Sequence, residues 1–309
     1  MRRFRALART AAVEVLSEPL TVILFLVALF AVHALPAFHY HQFGEPGRLA
    51  RECGFSSLFV FGLFFAVPAA ARAIGRELES GTAAAALSRA VSRPLFFCAK
   101  TAGVALAFLL FAAAVAVATE VSAFSCVKGS ALARNSGVAQ VWGPAFAAGV
   151  GFTLSAFALA AAANRFLGWR FCLWACLLMS AAQIAAGAFT LACAGVRDPQ
   201  LAVVPLKGIA LAFAALVVCC LVFTQMAAAL ATRLRPSGVN GGVSLAVVSA
   251  FFWPVRALTP DVNAFWLADA LSPTGGGVVA PGAPLLAGMA LIAFWTVAGA
   301  ALLEGRDVG

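Results

Sequence analysis

The residues best placed to do something beyond filling a bilayer lie between positions 72 and 100, RAIGRELESGTAAAALSRAVSRPLFFCAK. Here Glu77 and Glu79 precede Gly81-Thr82, and Leu87-Ser88-Arg89 is followed by Ser92-Arg93. These types make no acid–base pair with a nucleophile and no metal set; they suit a small polar element that docks into another body. The other candidates are weaker. His33, His39 and His41 cluster in HALPAFHYHQF without a matching cysteine or paired acid, so a metal site is not expected and exposed loop histidines are. Glu120, Gln183, Thr224 and Gln225 are polar residues in apolar surroundings: the acid reads as solvated at a membrane boundary, with a transport role as the alternative, and the others as hydrogen-bonding links between helices ahead of lining a path. The eight cysteines show no C-x-x-C or zinc spacing, and those in apolar blocks read as small hydrophobes. No G-x-x-x-x-G-K-[ST] stretch occurs, so no nucleotide site is expected in this chain.

The elements that position these residues follow from composition. Of 309 residues, 63% are hydrophobic and 11% charged, against about 45–50% and about 25% in soluble domains. So little polar side chain cannot cover a water-facing surface, which argues against a soluble enzyme or a disordered chain. Apolar blocks fall near 20–35, 55–73, 99–124, 143–163, 171–194, 205–231, 243–258 and 283–303. The expected fold is an all-α integral membrane protein, a polytopic bundle of six to eight spans at ~20 residues per span. Segment 243–258 is short and ends at Trp253-Pro254, leaving open whether it spans or is re-entrant.

Residues 1–18 place Phe4, Leu7, Ala11, Val15 and Leu16 on one helical stripe, with Arg2, Arg5 and Arg9 off it. That pattern predicts an amphipathic helix on the membrane surface, preceding a single transmembrane domain over 19–309. The formal charge of +9 is better explained by orientation in the bilayer than by nucleic acid. With the N-terminus inside, the inner regions hold fourteen of the 21 Lys and Arg, twice the outer share, so a cytoplasmic N-terminus is expected. The 72–100 stretch then faces inward. Gly81 ends one helix, Thr82 caps a short one through Leu87, and Ser92 caps the next span with Pro94 in its first turn. So short a helix is not stable alone in water, and it makes sense as a docked element.

With these residues in view, the segment Glu77-x-Glu79-x-Gly81-Thr82, Leu87-Ser88-Arg89-x-Val91-Ser92-Arg93, Phe96-Phe97 and Lys100 resembles the cytoplasmic loop of ABC type-2 family permeases, the membrane subunits of ATP-binding-cassette transporters. The basic leader and the tail Leu303-Glu304-Gly305-Arg306-Asp307 are similar to that family's ends, whereas Ala90 stands where the family usually has Pro. The resemblance implies a coupling loop at 74–98, with Glu77, Glu79, Gly81, Thr82, Leu87, Ser88, Arg89, Ser92 and Arg93 meeting the ATPase. Glu77, Glu79, Arg89 and Arg93 would supply its ion pairs. It further implies a permease subunit of an exporter in the cytoplasmic membrane, paired with a second permease subunit and with an ATP-binding-cassette ATPase that carries the ATP and Mg. The outer region 260–282 would be the re-entrant element near the substrate exit. On this reading the chain is not itself an enzyme, has no cofactor of its own and binds no nucleic acid. The rival readings are an ion-gradient-driven secondary transporter, which calls for a buried acid at mid-span, a membrane enzyme, which calls for a Ser-His or metal constellation inside the bilayer, and a membrane scaffold without transport.

Overall fold

The computed structural model describes residues 1–38, 47–79, 91–132, 141–194, 206–235, 238–239, 242–243 and 282–305. The chain is an all-α polytopic membrane protein, with eight α-helices and no strand among the described residues. They are α1 (Arg2–Leu16), α2 (Pro19–Ala34), α3 (Arg48–Glu79), α4 (Arg93–Leu132), α5 (Gly143–Leu167), α6 (Phe171–Ala194), α7 (Leu206–Leu230) and α8 (Gly282–Glu304). Among the described residues six stretches are long and apolar enough to cross a bilayer, one on each of α2 to α7, the first running on past α2 to Phe38. Most of segment 243–258, and all but the last residue of 260–282, lie outside the described residues.

Helix ends follow local chemistry. Pro19 occupies the first turn of α2, where its missing N–H is no loss, and α5 likewise carries Pro144 in its first turn. Gly168, at φ 68°, closes α5 in the left-handed region that glycine enters without a Cβ clash. Its N–H donates to the Asn164 carbonyl at 3.2 Å, and α6 begins three residues later. The helices α3 and α4 have 32 and 40 residues and outrun the apolar blocks 55–73 and 99–124. A block marks only the part in hydrocarbon, ~30 Å or ~20 residues. Beyond it the backbone still satisfies itself by staying helical. Pro68 sits inside α3 without ending it, as neighbouring helices permit in membranes.

The chain forms two compact units, and α3 and α4 contribute to both. One gathers Met1–Val15, Leu63–Phe108 and Lys207–Gly309. There Phe65 stacks on Phe108 with ring centroids 6.4 Å apart. Gly288 of α8 abuts Val218 of α7, and Gly305 abuts Arg233, so these two helices run parallel. In the same unit α1 lies on α4 at Gly103, where a Cβ would run into the Ala8 carbonyl and the Ala11 side chain.

The second unit gathers Leu16–Gly62 and Leu109–Leu206. The helices α5 and α6 pack along their length as a hairpin, with α2 against both. Phe25 meets Phe111 edge-on at 5.0 Å, and Gly54 of α3 lies hard against Thr119 of α4. At one end Lys128 of α4 stands 4.3 Å from the Trp142 ring and 3.4 Å from the Ala194 carbonyl at the end of α6. Lipid supplies no hydrophobic drive between helices, so small residues that let backbones approach are the main source of cohesion.

A side chain at position 103 therefore has nowhere to go. Gly103→Leu is expected to lever α1 from α4 and to cost about 1–3 kcal/mol, the usual toll of overpacking. Thermal unfolding in detergent and loss of protection of Ala8→Cys from thiol reagents would report it.

Candidate functional site

Of the residues singled out in the loop, Glu77 and Glu79 lie in the last turn of α3, and Ser92 and Arg93 at the start of α4. Gly81, Thr82, Leu87, Ser88 and Arg89 fall outside the described residues. Ser92 stands at the N-terminal boundary of α4, its carbonyl accepting the Phe96 N–H at 3.0 Å, with Pro94 in the first turn. Glu79 and Ser92 are exposed, whereas Glu77 and Arg93 are half-buried and engaged within the unit.

Glu77 accepts from the ammonium of Lys100, which is 3% exposed. The same ammonium lies 3.5 Å from Glu14 Oε2. One buried cation thus joins three elements: the end of α3, the start of α4, and α1. The arrangement follows from charge. A lysine taken out of water needs opposite charge nearby, and its compact head can serve two carboxylates at once.

Arg93 does different work. Its Nη1 donates to the carbonyls of Glu304, at 2.6 Å, and Leu303, at 3.3 Å. These are carbonyls that the last turn of α8 leaves without an intrahelical partner, at the end of a helix that favours a cation. One turn along α4, the buried Phe97 ring lies where a side chain at Gly299 of α8 would be. Arg93 and Phe97 together fix the end of α8 to the start of α4. The two flanks of the loop are therefore tied to α1 and α8.

From the sequence Glu77 and Arg93 are expected on the docking surface, whereas in the structure both have partners within the subunit. A signal for the first was present. Lys100 is the only charged residue from position 94 to 119, so it demanded a counter-charge. Nothing local indicated the carbonyls of Leu303 and Glu304.

The second unit holds a buried polar chain. Thr153 donates its hydroxyl to the Gly149 carbonyl at 2.6 Å, and the Gln183 amide donates to Thr153 Oγ1 at 2.6 Å. This leaves Gln183 Oε1 to accept, and it lies 3.0 Å from His33 Nε2, which therefore carries the hydrogen. Gly149 makes room for the imidazole, since a Cβ there would strike the ring. The reading of His33 as an exposed loop histidine is thus corrected. It is 2% exposed inside α2, because its acceptor sits 150 residues away on α6. His39 and His41 lie outside the described residues.

Glu120, read as solvated, pairs with Arg51 of α3 at 3.6 Å. Gln183 joins helices as expected, whereas Thr224 bonds the Cys220 carbonyl of its own helix. All eight cysteines are free, and among the described residues no group of His, Cys, Asp or Glu is placed to hold a metal ion. Compared with models of known families, with curated proteins and with solved structures, the chain matches none.

Two outcomes test the clusters. Lys100→Met strands two partly exposed carboxylates and is expected to cost about 1–3 kcal/mol, below the usual 3–5 for a fully buried pair. In a double-mutant cycle with Glu77→Gln the losses should fall short of additive. Gln183→Leu should cost about 0.5–1.5 kcal/mol, the range for hydrogen bonds between membrane helices, with little further loss when His33→Phe is added. Thermal denaturation in one detergent measures both.

Proposed function

We propose that this chain is the membrane-spanning subunit of an ABC exporter, set in the cytoplasmic membrane with its N-terminus inside. A second permease subunit completes the pathway, and separate ATP-binding-cassette chains hydrolyse ATP with Mg. The observation that supports this reading most is the anchoring of both flanks of the 74–98 stretch, whose ends belong to α3 and α4. Glu77 and Lys100 bind the loop's borders to α1, and Arg93 binds its exit to the end of α8. A force applied to residues 80–92 by a docked ATPase would thus be delivered to α1, α3, α4 and α8 together.

The mechanism follows the logic of a two-state element. ATP binding closes the partner ATPases and displaces the docked loop, and the bundle passes between inward- and outward-facing states. Substrate recognition belongs to the bundle and fuel to the partner. On this reading Glu79 and Arg89 are the residues to face the ATPase, because Glu77 and Arg93 are already engaged within the subunit.

The decisive experiment is gentle solubilisation from native membranes followed by identification of what co-purifies. An ATP-binding protein is expected, and Arg89→Glu should release it or raise its idle ATP turnover while membrane insertion stays normal. If no ATP-binding chain accompanies the protein, and the chain alone moves solute on an ion gradient, the exporter reading fails.

A further inference from the structure

We propose that α1 is a binding surface for anionic phospholipid headgroups, with Arg2, Arg5 and Arg9 as the residues that hold the lipid phosphates. The inference goes beyond the transporter reading and does not depend on it.

Position along α4 sets the depth of α1. Between Lys100 and Glu120 no residue is charged, and the twenty helical steps from one to the other, at ~1.5 Å each, span ~30 Å, the thickness of the hydrocarbon core. Lys100 therefore marks one edge of that core. The helix α1 meets α4 at this level, through Glu14 on Lys100 and through Ala8 and Ala11 on Gly103. Its outer face is thereby set at the depth of lipid phosphates rather than in open water.

Charge sets its partner. Arg2, Arg5 and Arg9 recur every three to four residues and share one side of the helix. All three are exposed, and among the described residues their guanidiniums make no ion pair or hydrogen bond, the backbone N–H of Arg5 donating to the Met1 carbonyl at 3.2 Å. Ala8, Ala11 and Val15 are buried, which turns the arginines away from the protein. The single acid of α1, Glu14, is already committed to Lys100. What remains is a row of guanidiniums, each able to grip phosphate through two parallel N–H donors. A membrane surface rich in anionic lipid is the complementary partner.

The test uses the full-length chain in nanodiscs of equal phosphatidylglycerol and phosphatidylcholine, followed by mass spectrometry of the lipids retained after extraction. Wild type should retain phosphatidylglycerol preferentially, and 0.5 M NaCl should erode that preference as screening shortens the reach of the charges. Arg2→Gln/Arg5→Gln/Arg9→Gln should weaken the preference by roughly a hundredfold, since each basic residue near an anionic surface adds about fivefold. The matching triple lysine variant should keep most of it, which separates loss of charge from loss of fold. Equal retention of the two lipids by wild type, or a preference unchanged in the glutamine variant, overturns the proposal. If the glutamine variant does not accumulate, the salt series decides, and a salt-independent preference refutes the assignment. Release of a co-purified acidic protein by the glutamine variant, without any lipid preference in wild type, would assign the face to a protein partner instead.

Discussion

A lysine ammonium kept almost wholly from water must be answered by negative charge, and much of the first unit is arranged around that requirement. Lys100 sits in the second turn of α4, just before the long uncharged run that crosses the membrane. Its charge is met from two directions, by Glu77 at the end of α3 and by Glu14 on α1. Were either acid absent, the remaining pair would carry more of a desolvation cost that only good geometry offsets. The close contact at Gly103 is the steric half of the same joint, because α1 can bring Glu14 within reach only if its backbone lies against α4. Charge and close approach are thus one device.

The same pairing of glycine with a polar link recurs elsewhere. Gly54 admits Thr119 while Arg51, three residues earlier on α3, pairs with Glu120. Gly149 admits the His33 ring, whose hydrogen bond runs to Gln183. Gly299 admits Phe97, and one turn away Arg93 holds the carbonyls of α8. In lipid, packing gives affinity without much direction, and polar links contribute modest energy but strict geometry. Glycine contacts bring the helices together, and the polar links fix their rotation.

How far this could be read from the sequence depends on the range of the physics involved. The spans were legible because each carries its own signal, a run of apolar residues long enough to cross the core. The start of α4 was legible too, since Ser92 and Pro94 are local punctuation. The helical excess of α3 and α4 was not, because hydropathy falls silent where a helix leaves the membrane while its backbone bonding does not. For Lys100 a partner was legible as a need, yet its identity was not. For Arg93 even the need was hidden, because an arginine at a polar boundary can be satisfied by water. His33 shows the limit most clearly: a histidine among loop-like residues is told from a buried one only by a glutamine 150 positions away.

The spacing of these contacts along the chain also sets an order of assembly during synthesis. Glu14, Glu77 and Lys100 all lie at or before position 100, so the joint at one border of the loop can close before α5 to α8 have been made. Domains and subdomains do fold from the N-terminus as they appear. Arg93, by contrast, must wait for Leu303 and Glu304, which follow it by 210 and 211 residues. The helix α8 therefore acts as a late latch: a product stalled before it would carry a sealed entrance to the segment and an open exit, a difference that quality-control proteases are well placed to sense.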